Sequence, residues 1–471
     1  MTRRVAVIGG GISGLAAAFR MADLGGAHTL TLFEASARLG GVIESERRDG
    51  VVLEGGPDSS LRRKPEFLEL VQRLGLGARI MGTNPKVQGS YIFHRGHFYD
   101  IPGGIQAGVP TRWDSLWSTE LLSLGEKVRL WGDLVIPCRG DSTDIALGAL
   151  LRRRFGDGYV DRIASPILAG IYAGDIDRLS TAVLAPSLLT FQSRGRGLLR
   201  GARADGGRMT TGGAAGQSLF VSLATGMESL IAALHSALKN NVDIRLNSPV
   251  VSLVPIDGGF RVVLRDGSPM HFDDVVLAVP AYQAAQILTF IDPEARKRLA
   301  GIEYADLAVV GAIYHGQAFN RPLTRTGYLV PRGEGLEMTA STWVRAKWDY
   351  ADPSEDVPIR AFFGRSGQDD FLRRTDEEIL ATCRQELGFI MGVTDAPRYA
   401  RVFRIPHGMP QFHVGHQQVV RQIRDEISRW RGLKLIGSYF DGVGLSDCIR
   451  HANQAAEELV PVSVQPSFST L

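Results

Sequence analysis

Cysteine is nearly absent from this chain. Among 471 residues there are three, Cys138, Cys383 and Cys448. They lie far apart, form no Cys-x-x-Cys pair, show no metal-ligand spacing and are odd in number. That argues against a disulfide framework and a metal site, and fits a reducing compartment. Buried, inert thiols are the expectation. Excess charge of one sign is missing too. The formal net charge of +3 at pH 7 is too small to imply a nucleic-acid partner, and no nucleic-acid module stands out. No apolar run reaches the roughly 18 uninterrupted residues that a spanning helix needs. No internal repeat is visible. We expect no secretory leader, because a strand pattern starts within the first few residues.

Glycine, by contrast, is abundant, at 55 residues, and its placement at the N-terminus is informative. Val5-Ala6-Val7-Ile8 reads as a short buried strand. Gly9-Gly10-Gly11-Ile12-Ser13-Gly14 follows, then a helical run from Leu15 to Ala22, then a second strand, Leu30–Phe33, ending on Glu34. Gly9 permits the tight turn out of the strand. Gly11 lets a pyrophosphate approach the backbone, and Gly14 lets the helix pack close to the strand. The helix N-terminus offers N–H groups to phosphates. Glu34 stands 20 residues after Gly14, the distance expected of the acid that binds ribose hydroxyls. The unit predicts dinucleotide binding, and Arg38-Leu39-Gly40-Gly41 behind it points to FAD.

Composition, at 44% hydrophobic and 22% charged, is that of a soluble globular protein, and the length implies two or three domains. Val42–Ser45 and Val51–Glu54 read as strands, Gly55–Ser60 as a loop, and Pro65–Leu74 as a helix ended by Gly75. Tyr91–Phe93 and His97–Tyr99 flank a hairpin turn at Arg95-Gly96. Helical periodicity occupies Leu116–Leu124, Glu126–Leu134, Ile145–Phe155 and Tyr159–Ala169. Gly195–Gln217 reads as a mobile Gly/Arg-rich loop. A second αβ unit follows, with strands near 218–222, 244–246, 250–253, 260–264 and 274–278 around a helix at Glu228–Leu238. Longer strands at 307–314 and 359–363, a helix at Asp376–Met391, a strand from Leu433 and a last helix from Ser446 complete the chain. The fold class is α/β. A discontinuous Rossmann-type FAD-binding domain takes residues 1–88, 215–282 and 425–471. A mixed-sheet substrate domain takes 89–98 and 283–424, and a helical insertion lobe takes 99–214.

Together with Glu54-x-Gly56 and the C-terminal Gly437…Gly442-Val443-Gly444, the N-terminal motifs resemble the flavin amine oxidase superfamily. Ser165–Asp175, Gly56-Pro57, Ser438-Tyr439 and Asp447-Cys448-Ile449 resemble its protoporphyrinogen oxidase branch. The likeness covers nearly the whole chain. It implies FAD, held non-covalently because the cysteine motif for covalent flavin is absent. It implies a pyrophosphate site at Gly9, Gly10, Gly11, Ile12, Ser13 and Gly14, and a ribose site at Glu34 with Ala35. Arg38 would sit near the pyrophosphate, with Gly41 and Val42 beside the cofactor. Gly56, Pro57, Asp58 and Ser59 would pass the flavin ring. The Val250 backbone would meet the adenine end, and Ser438, Val443, Gly444 and Leu445 would hold the ribityl chain and ring. The family often has Arg or a small residue where this chain has Asp58.

The implied reaction is oxidation of protoporphyrinogen IX to protoporphyrin IX in haem biosynthesis. Three two-electron hydride transfers would run from the tetrapyrrole to flavin N5, with oxygen as acceptor and peroxide as product. No side chain is expected to be catalytic and no metal is expected, since the cofactor carries the chemistry. Arg95 is the candidate anchor for a propionate, and the Gly170 carbonyl for pyrrole N–H groups; a helix-terminating glycine is the other reading of Gly170. Phe319, Tyr328, Leu329, Met338 and Phe362 could form apolar walls, although core packing is the preferred reading of each. Arg62-Arg63-Lys64 reads as a solvated charge run, and His413 and His416 as structural residues. Coproporphyrinogen III, a carotenoid or an amine as substrate, and a flavin-binding scaffold without turnover, all stay open. So do a homodimer and a peripheral site on the cytoplasmic face of a membrane.

Overall fold

The computed structural model describes residues 2–137, 143–194, 197–204, 218–320, 322–350, 355–368 and 370–460. A parallel five-stranded sheet gathers segments from both ends and the middle of the chain. Its order is Val242–Arg245, His28–Phe33, Arg3–Ile8, Asp274–Leu277, Leu433–Leu435. The inner strands are buried on both faces, so Val5–Ile8 and Asp274–Leu277 are continuous apolar or buried runs without alternation. On one face, helices Ile12–Leu24, Glu228–Leu238 and Leu445–Leu459 bury Leu15, Met21, Leu230, Leu234, Ile449 and Ala452. The other face packs against the Val250–Ile256, Gly259–Leu264, Pro269–Phe272 meander and helices Ala281–Ile287 and His416–Ser428.

A second, seven-stranded sheet is mixed. Its order is Tyr399–Pro410, Tyr304–His315, Asp356–Phe363, Met338–Trp343, Gly327–Leu329, Tyr91–His94, His97–Asp100. All its pairings are antiparallel except Tyr91–His94 with Gly327–Leu329. Helix Asp376–Met391 covers one face through Ile379, Cys383 and Leu387. The third body is a set of short helices between Trp113 and Ala204 with its own core of Leu147, Leu150, Leu151, Phe155, Tyr159, Ile163 and Leu188. No helix among the described residues is long and apolar enough to cross a membrane.

Three local expectations need correction. Gly41 and Val42 form a turn, residues 43–44 are irregular, and the strand begins at Ser45. The cause is Arg38, whose guanidinium donates to the carbonyls of Leu39 at 3.3 Å, Ile43 at 3.0 Å and Gly41 at 2.6 Å and curls the segment around itself. The expected helix at 116–124 is instead Trp113–Ser118, and the one expected at 126–134 begins earlier, as Leu124–Leu130, and ends in a 3-10 turn at Trp131–Leu134. Ser123 and Glu126 form a reciprocal capping box that starts the second helix and breaks the first pattern. Within the expected mobile loop, Leu198–Ala204 is a helix. Buried Asp133 accepts from the Leu198 and Leu199 amides at 3.2 and 2.9 Å, filling two donors that a helix start leaves open. Residues 195–196 and 205–217 of that loop, and Cys138, lie outside the described residues.

Candidate active site

The glycine turn behaves as its spacing requires. Gly9 takes φ +111°, a conformation that L side chains rarely adopt. A methyl group on Gly14 would overlap the Gly9 carbonyl oxygen, so only a bare Cα lets the helix sit this close to the strand. Gly11 differs: a Cβ there would meet no atom within 4 Å. Its missing side chain leaves space outside the protein backbone, where a ligand can approach. Gly41, at φ +58°, lies across the same opening, with its ideal Cβ 3.4 Å from the Gly11 Cα.

At the far end of this groove, the Glu34 carboxylate accepts from the Gly10 amide at 2.7 Å and from the Ser36 amide and hydroxyl at 2.8 Å each. A carboxylate offers about four acceptor positions, so capacity for a ribose hydroxyl remains. The Ser248 amide donates to the Glu34 carbonyl at 2.8 Å, which brings the start of the Val250 strand to this end of the groove. Ala35 is exposed beside it.

A second helix start faces the same region. Gly444 precedes helix Leu445–Leu459, which packs along the glycine-turn helix. The Ser13 hydroxyl is hydrogen-bonded to the buried Cys448 thiol, and burial pushes that thiol up to about 11. Ser60 and Ser446 share a hydroxyl bond at 3.1 Å, and Lys64 Nζ donates to both Asp447 oxygens at 2.6 Å. Lys64 is therefore a latch and not part of a solvated run; Arg62 Nε likewise donates to the Ser218 carbonyl at 3.0 Å. Ser438 and Val443 are half-buried near this helix start, while Leu445 is buried and Gly444 exposed.

The loop Gly56–Ser59 lies under Val42, which is 49% exposed. A Cβ on Gly56 would overlap the Val42 carbonyl, so these two segments meet backbone to backbone. Asp58 holds the loop down. It is buried, with its carboxylate 2.7 Å from Lys347 Nζ and 2.8 Å from an Arg360 guanidinium nitrogen. Burial alone would raise its pKa, but Lys347 and Arg360 outweigh that and hold it below the usual carboxylate range. Arg360 also donates to the carbonyls of Glu54 at 2.8 Å and Gly56 at 2.5 Å. The role of Asp58, open in the sequence, is thus to bind this loop to the seven-stranded sheet. Lys347 and Arg360 had no local signal; their partners lie 289 and more residues away.

Helix Ser165–Tyr172 contacts strand Gly327–Leu329 of the second sheet. Gly170 does not terminate it. The left-handed cap is Ala173 at φ 49°, and Gly170 lies exposed in the last turn. Its ideal Cβ would be 3.1 Å from Leu329 on the second sheet. Ile171 beside it is 54% exposed. Burial raises the Tyr172 phenol, with a further push from the Asp447 charge. Of the candidate wall residues, Leu329 faces Gly170, whereas Tyr328 and Met338 are buried in the sheet core and Phe319 packs on Tyr314. Arg95 is exposed at the hairpin turn, where its amide donates to Glu334 at 2.9 Å. His416 is structural: its Nε2 sits 2.8 Å from the Tyr439 carbonyl.

The family model described as flavin-containing amine oxidoreductase matches residues 12–460. The chain belongs to that family. It is 32% identical over 465 residues to coproporphyrinogen III oxidase of Bacillus subtilis (strain 168), covering 97% of each chain. It is 27% identical over 484 residues to protoporphyrinogen oxidase of Bos taurus, covering 98% of this chain and 99% of the other. A crystal structure from Exiguobacterium sp. 255-15, provisionally named a protoporphyrinogen oxidase, superposes with a TM-score of 0.87 at 33% identity, over 98% of this chain and 99% of that one. As a flavin amine oxidoreductase the protein uses FAD. The residues present fit that group: the open face at Gly11, two helix starts at one groove, and the Glu34 carboxylate beside the glycine turn, which could accept from a ribose hydroxyl.

Proposed function

We propose that this flavoprotein oxidises a porphyrinogen to the corresponding porphyrin, and that coproporphyrinogen III is preferred to protoporphyrinogen IX. The observation that carries the reading is the exposed Gly170-Ile171 turn, which packs against Leu329 of the second sheet. A flat apolar macrocycle needs apolar walls with few polar groups, and this turn offers an exposed apolar side chain beside a bare backbone. Likeness to the Bacillus enzyme over nearly the full length supports the tetracarboxylate, and likeness to the bovine enzyme supports the dicarboxylate at lower identity.

Bound FAD supplies the two-electron acceptor, with oxygen to restore it and peroxide as product. The protein's own residues do the rest. Ile171 and Leu329 exclude water from the ring faces. Gly170 leaves its carbonyl accessible to a pyrrole N–H because no side chain stands in front of it. The Asp58–Lys347–Arg360 cluster ties the Gly56–Ser59 loop to the second sheet. Arg95 stands in reach of solvent for a propionate.

The test is a fluorescence assay of the purified yellow protein in air with each porphyrinogen. We expect porphyrin emission only with holoprotein, and bleaching of the flavin colour when oxygen is removed. Emission no faster than in buffer for both substrates would sink the proposal.

A further inference from the structure

One end of the seven-stranded sheet carries three arginines that the cofactor groove does not use. Arg332 follows strand Gly327–Leu329, Arg365 follows strand Asp356–Phe363, and Arg95 occupies the turn between Tyr91–His94 and His97–Asp100. Arg365 is only 4% exposed. Its Nε donates to the Gln368 amide oxygen at 2.5 Å, and its Nη1 to the Val330 carbonyl at 3.4 Å. Arg332 Nη2 donates to the Ser366 carbonyl at 3.0 Å. All these acceptors are neutral. Among the described residues no carboxylate forms an ion pair with any of the three guanidinium groups. Glu334 is close by; its oxygens accept from the Arg95 amide at 2.9 Å and meet the His94 ring at 2.5 Å, and it forms no ion pair with the three guanidinium groups.

Neighbouring arginines are treated otherwise. Arg325, Arg398, Arg401 and Arg404 each hold a carboxylate: Asp100, Asp356, Glu46 and Asp376 respectively. Keeping a guanidinium buried with neutral partners costs free energy, because a charge loses water without gaining a counter-charge. Burial, and then the charge of Arg332, bring Arg365 down to about 10, so it is still cationic at neutral pH. A carboxylate arriving here would relieve both effects and meet a fork suited to bidentate contact.

The position is also right. The Ser366 amide donates to the Ala173 carbonyl at 2.8 Å, joining the Arg365 loop to the end of the Gly170 helix. Val330, which accepts from Arg365, is the residue after Leu329, which faces Gly170. The arginines therefore lie beside the Gly170-Ile171 turn, against which the macrocycle was placed above.

We propose that Arg332 and Arg365, with Arg95, form a carboxylate-binding edge that receives propionates of the porphyrinogen and sets the preference for a tetracarboxylate ring over a dicarboxylate one. The inference rests on the porphyrinogen reading. Where protoporphyrinogen IX has two vinyl groups, coproporphyrinogen III has two more propionates, so a row of cations with no ion pair among the described residues favours the latter.

Arg332→Gln and Arg365→Gln test it, with kcat and KM measured for both porphyrinogens, alongside FAD content and the dissociation constant of coproporphyrin by fluorescence. We expect KM for coproporphyrinogen III and the coproporphyrin dissociation constant to rise on the order of tenfold, as a lost charge-assisted pair would give. The constants for protoporphyrinogen IX should move less, so the kcat/KM ratio between substrates falls. Arg332 is exposed, so Arg332→Gln and Arg332→Glu carry the test should Arg365→Gln lose its fold. An unchanged ratio and unchanged product affinity in FAD-loaded Arg332→Gln and Arg332→Glu would overturn the edge while leaving wild-type turnover, and the porphyrinogen reading, intact. If the wild type yields porphyrin from neither substrate, both fall.

Discussion

Glu54 carries a charge that its surroundings resist. Burial raises its carboxyl from the ordinary 4.5 to about 7, although the Ser45 hydroxyl and the Met227 amide, at 2.6 and 2.8 Å, pull the other way. Between these two values the folded state keeps the proton and the unfolded chain releases it. Stability from this group is therefore complete below 4.5 and lost as pH rises through about 7, with no further change beyond. Wild-type protein should unfold at lower urea at pH 8 than at pH 5. Glu54→Gln should flatten that difference, and an equal slope in the variant would count against the assignment. Other single residues also needed neighbours to be understood. Asp58 and Lys64 read as an open question and a solvated charge, yet each is fixed by a partner hundreds of residues away.

At the level of elements, the glycine turn separates two requirements that the motif combines. Gly14 has no room for a side chain because the Gly9 carbonyl occupies it, whereas Gly11 has open space. Gly14→Val should prevent folding or sharply lower the melting temperature. Gly11→Val should fold with near-native circular dichroism but emerge colourless, because its methyl groups fill the space a pyrophosphate would use. A yellow Gly11→Val protein would refute that division of roles. Helix Asp376–Met391 has the bounds its periodicity suggests, since a Thr375/Glu378 capping box starts it and Gly392 in the left-handed region ends it. Where boundaries shifted, as at Ser123 and Leu198, a cap or a distant carboxylate outweighed the apolar pattern.

On the scale of the molecule, the Asp58 cluster joins the cofactor loop to the second sheet through buried charges. Removing the acid alone leaves Lys347 and Arg360 facing each other without compensation. Asp58→Asn should cost about 3–5 kcal/mol of stability, the usual loss when one member of a buried pair is deleted. Lys347→Met should cost less, because Arg360 still neutralises Asp58. Urea unfolding followed by flavin absorbance would check the order, and equal losses would contradict it. The amino-acid sequence by itself determined the glycine turn, the placement of Glu34 beside it, most strands and helices and the family, because these depend on contacts within some tens of residues and on periodicity. Tertiary structure alone decided that Lys347 and Arg360 clamp the Gly56–Ser59 loop, that Gly170 faces Leu329, and that Arg332 and Arg365 share one edge with Arg95. Those relations join segments far apart in the chain, and side chains brought together only by folding leave no spacing in a sequence from which to read them.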